Sequence, residues 1–153
     1  MSDGRLAALR RGEKPADLLA ETASGFAVFG DHQKLPGYCL LIHRGEVEHL
    51  TDLGPAERTA FLEDMALLGQ AAFTVLSGEP GFRRLNYEVL GNSWPHLHAH
   101  VHPRYEWEPA EYRSRPVWRY PDLEAEEHRS GQAHAELRER IALELKALLI
   151  GGA

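Results

Sequence analysis

The chain reads as an α+β domain: an antiparallel β-sheet with helices packed on one face and an extra helix at the C-terminal end. Three patterns carry that reading. Leu85, Tyr87 and Val89 alternate with Arg84, Asn86 and Glu88, the two-residue period of a half-buried strand. A second alternation sets Leu97, Ala99 and Val101 against His96, His98, His100 and His102. It follows after only residues 90–95, a connection short enough to favour an antiparallel pair. Upstream, Phe61, Met65, Leu68, Ala72 and Val75 recur at helical spacing. Strands and helices mixed in this way suit a sheet layered with helices.

The elements follow in chain order. Leu6, Ala7 and Leu9, then Leu18 and Leu19, predict short N-terminal helices broken near Gly12 and Pro15. Residues 25–30 and 37–43 predict two strands joined by a turn through Asp31 to Pro36. Pro55 opens the central helix, because its fixed φ and missing N–H suit a first helical position, and Gly78 ends it. Leu137, Ile141, Leu145 and Leu148 predict a terminal helix stopped by Gly151 and Gly152.

Composition bounds what this sheet can serve. A chain of 153 residues with 43% hydrophobic content suits one domain with one core, residues 1–153. The single cysteine, Cys39, excludes an intramolecular disulfide, and its apolar neighbours predict a buried strand residue. No apolar run approaches the ~20 residues of a membrane span, and the N-terminus lacks a signal-like apolar stretch. The expectation is a cytoplasmic protein with no membrane partner. A formal net charge of −6 argues against nucleic acid as a general partner.

The histidine row is the chemical feature. His96, His98, His100 and His102 share one face of the predicted strand, while Leu97, Ala99 and Val101 turn to the core. A metal site is one reading. Yet Cα atoms four residues apart on a strand lie about 14 Å from each other, so the row cannot close a tetrahedral site alone. Asp31, His32, His43, Glu46 and His49 could contribute ligands but show no recognisable spacing. No metal site and no required cofactor are therefore expected. A phosphate site uses the row as it stands: several N–H donors spread over several Å, and one ring nitrogen placed for in-line attack. Asn92 and Ser93, after the flexible Gly91, add an amide and a hydroxyl that can bond phosphate oxygens. The plain alternatives are a solvated histidine-rich strand and an ordinary Gly-Asn turn.

His96-Leu97-His98-Ala99-His100-Val101-His102-Pro103-Arg104 resembles the motif of the histidine triad (HIT) family. That motif alternates three histidines with apolar residues and is commonly followed by Pro-Arg. The run from Leu35 through Pro36 and Gly37 to Ile42 is similar to the family's strand upstream. The resemblance spans residues 20–108 and implies a HIT-like sheet of about five strands, leaving 109–153 as a C-terminal substrate-loop segment and helix. It implies that His98 attacks a nucleotide α-phosphate and forms a nucleotidyl-histidine. His96 and His100 would then bind and orient the phosphate and the catalytic ring, with Asn92 and Ser93 as phosphate contacts. Asn92 stands where relatives often carry Gln, and Glu46 where they often carry His. Asp31 is the nearest match to the acid that meets the ribose, with Gly30 at the strict position. His102 replaces an apolar residue, as a fourth polar contact or an exposed ring.

Residues 104–120 interleave arginines with Tyr105, Trp107, Tyr112, Trp118 and Tyr120. Guanidinium groups suit phosphates and aromatic faces stack on bases, so Arg104 and Trp118 are candidate nucleotide contacts. The alternative is a packed tail in which Glu106, Glu108 and Glu111 pair with the arginines. The resemblance implies a nucleotidyl hydrolase or transferase acting on dinucleoside polyphosphates, or on nucleoside phosphoramidates. It also implies a homodimer joined through its sheets, with a divalent cation entering only alongside a polyphosphate substrate. The competing class is a non-catalytic nucleotide- or metal-binding protein.

Overall fold

A computed structural model describes residues 2–151. Five strands form one antiparallel sheet: β1 (Leu18–Glu21), β2 (Gly25–Phe29), β3 (Cys39–His43), β4 (Phe82–Glu88) and β5 (His98–Tyr105). Their order is β1-β2-β3-β5-β4, so the histidine strand is interior and β1 and β4 are the edges. Four helices accompany them: α1 (Asp3–Arg10), α2 (Pro55–Leu76), α3 (Ala110–Arg113) and α4 (Ala135–Gly151). Gly152, part of the expected terminal stop, lies outside the described residues.

Alternation sorts the sheet into two faces. Ala27, Phe29, Cys39, Leu41, Ala99 and Val101 turn toward α2 and α4, where Phe61, Leu68, Ala72, Ile141 and Leu145 complete the main core. Each fully buried aliphatic or aromatic side chain contributes roughly 1.5–3 kcal/mol. The opposite face carries Phe26, Val28, Tyr38, Leu40 and Ile42, closed by Leu6 and Leu9 of α1. The two long helices thus share one face as expected, and the short α1 covers part of the other. At 22 residues α2 is long and apolar enough to cross a bilayer, yet its buried residues are those lying on the sheet. Its Asp64 carboxylate accepts from the Ser24 N–H and hydroxyl at 2.8 and 2.6 Å, fastening the helix to the β1–β2 turn.

One element differs from expectation. Leu18 and Leu19 are in strand β1, not in a second N-terminal helix. Pairing of Ala20 with Ala27 and of Glu21 with Phe26, and full burial of Leu19, outweigh the helix propensity of a Leu-Leu-Ala-Glu stretch. β4 also starts two residues before the alternation and ends before Val89.

Candidate active site

The histidine face of β5 is the floor of a cleft of about 740 Å³. His98 stands opposite Ile42 and His100 opposite Leu40 on β3, while Glu88 and Asn86 of β4 flank His100 and His102. His98, His100, Asn92, Ser93, Asp31 and Trp118 all line the cleft. The expected polar groups are therefore brought together from three separate stretches of chain.

His98 Nδ1–H donates to the His96 carbonyl at 2.6 Å. That bond fixes the tautomer and leaves the Nε2 lone pair as the ring's nucleophilic position. Burial depresses the His98 pKa, which the bond to His96 only partly offsets, so the ring is neutral at pH 7. His100 Nδ1 lies 2.7 Å from the Tyr38 hydroxyl. Phenol is the better donor and imidazole the better acceptor, so Tyr38 donates and the His100 proton resides on Nε2. Burial, then the neighbouring His98 and His32, push the His100 pKa down to about 3. This ring is a neutral hydrogen-bond donor.

His96 precedes β5 and does not line the cleft. Its Nε2 donates to the His43 carbonyl at 2.7 Å and its ring stacks on Trp94 at 4.9 Å. What it presents to His98 is its backbone carbonyl. Trp94 also touches the His98 ring, at 5.1 Å between centroids.

Farther along the strand the row changes character. His102 is 1% exposed, stacked face to face on Tyr38 at 3.7 Å, and neither ring nitrogen has a partner among the described residues. The expectation of an exposed ring is thus corrected: Tyr38 and Trp118 cover it. Arg104, expected at the nucleotide, does not line the cleft. Its guanidinium donates to both Glu108 oxygens, to Asn86 Oδ1 and to the carbonyls of Tyr112 and Arg115. Burial alone would raise the Glu108 pKa. Bonds from Arg104, the Tyr105 N–H and the Tyr120 hydroxyl hold it below the usual range. Trp118 does reach the cleft, edge-on to His100 at 5.0 Å, with its N–H donated to Glu88.

Asp31 also lines the cleft and is paired with Arg5. Gly30 has a steric reason: a Cβ there would lie 2.1 Å from the Tyr38 ring. Residues 126–130 run alongside, with Gln33 N–H donating to the His128 carbonyl and Ser130 N–H to that of Asp31. Their neighbours Glu124 and Ala125, together with Arg129, line the cleft, as do His32 and Tyr38. Of these five, sequence reasoning named only His32, as a possible metal ligand, and it placed none of them at a phosphate site. Only Tyr38 carried a signal, the alternation that places it on the face of Leu40 and Ile42.

Asp122, Glu127 and His128 offer candidate metal-ligand atoms within 4.8 Å of one another. Lys34 Nζ is already 2.8 Å from Asp122 and 3.4 Å from His128, so an ammonium balances the cluster. Among the described residues the triad histidines form no such group of three.

Residues 11–107 match the HIT domain family. No curated protein matches the chain. Solved structures share its fold. A histidine triad protein from Marinobacter aquaeolei is 23% identical with a TM-score of 0.68, covering 97% of each chain. One from Sinorhizobium meliloti is 19% identical with a TM-score of 0.71, over 94% of this chain and 96% of that one. A Zn-bound histidine triad family protein from Mycobacterium smegmatis is 20% identical with a TM-score of 0.61, again over 94% and 96%.

Proposed function

The chain belongs to the HIT domain family, and on that premise we propose that it is a nucleotidyl hydrolase or transferase working through a covalent histidine. The observation that carries the reading is the 2.6 Å bond from His98 Nδ1–H to the His96 carbonyl. It leaves a neutral Nε2 in a cleft that also holds Asn92, Ser93 and the N–H of His100. Nε2 attacks the α-phosphorus, a P–N bond forms, and the bond from phosphorus to the leaving group breaks. The phosphorylated imidazole is cationic while it keeps its Nδ1 proton, and the His96 carbonyl stabilises that charge. Water then attacks phosphorus and gives one proton to solvent, the P–N bond breaks with its electron pair returning to Nε2, and a nucleoside monophosphate leaves with His98 neutral again.

Dinucleoside polyphosphates are the proposed substrates. Trp118 lies on the cleft where a base can stack, and Asp31 lies where ribose hydroxyls can be met. Nucleoside phosphoramidates pass through the same intermediate and are the second class. The protein needs no resident cofactor in this reading. A divalent cation enters only with the polyphosphate, and chelator leaves the thermal midpoint unchanged. The proposal includes a cytoplasmic homodimer, without nucleic-acid or membrane partners.

Rapid mixing with diadenosine tetraphosphate followed by intact-protein mass spectrometry tests the covalent step. One added adenylyl group is expected, absent from His98→Ala, whose turnover falls by roughly 10⁴-fold or more. An adduct that persists in His98→Ala rejects His98 as nucleophile. Tight nucleotide binding with neither adduct nor turnover assigns the chain to the non-catalytic class.

A further inference from the structure

A second depression, about 520 Å³, lies between β4 and residues 113–116. Glu88 lines this groove, Trp118 lines the cleft, and a 2.9 Å hydrogen bond joins them. The two concavities are therefore neighbours across one side-chain contact.

The groove is rich in arginine: Arg83, Arg84, Arg104, Arg113 and Arg115. Among the described residues, only Arg104 of these five is neutralised, by the buried Glu108. Arg83 and Arg113 each direct one N–H to a backbone carbonyl at 2.9 Å, which leaves their charge uncancelled. Arg84 and Arg115 are exposed and have no carboxylate partner among the described residues. Elsewhere Arg5, Arg11, Arg44, Arg129 and Arg140 each meet a carboxylate, and the arginines that meet none among the described residues, Arg10, Arg58, Arg119 and Arg138, are spread over separate helices. Glu88 is the carboxylate on the lining among the described residues, and burial raises its pKa.

Four uncompensated guanidiniums in one groove of a chain with net charge −6 repel one another unless an anion joins them. The wall that bears two of them is held in place. Arg104 grips the carbonyls of Tyr112 and Arg115, and Arg83 grips that of Arg113. Forked donors carried at several points along a groove with a held wall match the oxygens of consecutive phosphates better than those of a lone carboxylate.

We propose that this groove is a binding site for a condensed phosphate chain. The chain is either the distal phosphates of an extended nucleotide substrate or a free inorganic oligophosphate. The first source rests on the proposed nucleotidyl transfer, and the anion site itself does not.

Titration of the full-length protein with inorganic tripolyphosphate, followed by calorimetry and by arginine Nε–H NMR shifts, tests the site without any turnover. Binding is expected to weaken tenfold or more in Arg84→Gln/Arg115→Gln and to stay unchanged in His98→Ala. Both replaced side chains are exposed, and circular dichroism verifies the fold. No binding, or binding that the double variant retains, overturns the site. A second arm separates the sources. A tenfold loss of kcat/KM for diadenosine tetraphosphate, with adenosine phosphoramidate turnover unchanged, assigns the groove to the substrate's distal chain. Unchanged turnover of both, with tripolyphosphate binding lost, assigns it to free oligophosphate.

Discussion

His98 and His100 differ from His102 and Arg104 although all four share one face of one strand. The first pair faces the cleft, and each Nδ1 is engaged by a partner that fixes which nitrogen carries the proton. In the second pair, one ring has no hydrogen-bond partner at either nitrogen among the described residues, and one guanidinium bonds five acceptor atoms. Alternation is the same along the row and three of its four residues are histidines, so the pattern does not separate cleft-facing from buried positions. The separation comes from what lies above each position: open cleft over His98 and His100, Tyr38 and Trp118 over His102, and the Glu108 loop over Arg104.

The comparison breaks most visibly at Glu108. Glu108→Ala leaves the buried Arg104 charge unpaired and is expected to cost about 3–5 kcal/mol, read from the denaturant midpoint. A loss below 1 kcal/mol means that Arg104 finds other anions or water, and the structural half of the row is misassigned.

Next in size is the pH dependence of stability. Burial depresses His98, His100 and His102, the second to about 3. Above pH 6.5 these rings are neutral in both folded and unfolded chains. Below it the unfolded chain takes up protons that the folded rings refuse. Stability therefore falls as pH drops below 6.5, for His100 down to about pH 3, by up to about 1.4 kcal/mol per pH unit for each ring that stays neutral in the folded chain. A flat profile between pH 6.5 and 4.5 contradicts the neutral assignment.

Tyr38→Phe removes the donor to His100 Nδ1 while keeping the ring between His32 and His102. Adenylylation is expected to slow by roughly 10–100-fold, the effect of about 1.4–2.8 kcal/mol. The ring-nitrogen NMR shifts of His100 should move from a single Nε2–H tautomer to a mixture. Unchanged shifts mean that something other than Tyr38 sets the tautomer.

The smallest effect belongs to His102→Phe, which replaces two unpartnered buried nitrogens with carbon in a ring of similar shape. Stability at pH 7 is expected to change by less than about 1 kcal/mol, with adduct formation as in the parent protein. The acid slope should become shallower, because one buried ring no longer titrates. A large loss of adduct would make His102 part of the reactive half.

Much of this was legible in the chain. Phe61, Leu68, Ala72 and Val75 marked α2, and Ile141 and Leu145 marked α4, because a long helix repeats its buried stripe often enough to be seen. β1 was not legible: with only four residues, two adjacent ones buried, it shows no alternation, and its strand state depends on pairing with β2. Asn92, Ser93, His98 and His100 were legible as one site because they are contiguous. Tyr38, His32, Glu124 and Arg129 were not, because the fold brings them to the same cleft from far along the chain.

Local covalent geometry determined by sequence alone that the histidines share one side of β5 and the small apolar residues the other, since successive side chains on a strand must alternate. The helical stripes and the helix start at Pro55 are of the same kind. Tertiary structure decided which histidines face the cleft with one ring nitrogen already engaged, which ring is buried under Tyr38, and that Arg104 meets Glu108. Those outcomes depend on burial, on partners distant in sequence and on tautomers set by single hydrogen bonds. Such energies arise only when separate stretches of chain are packed against each other.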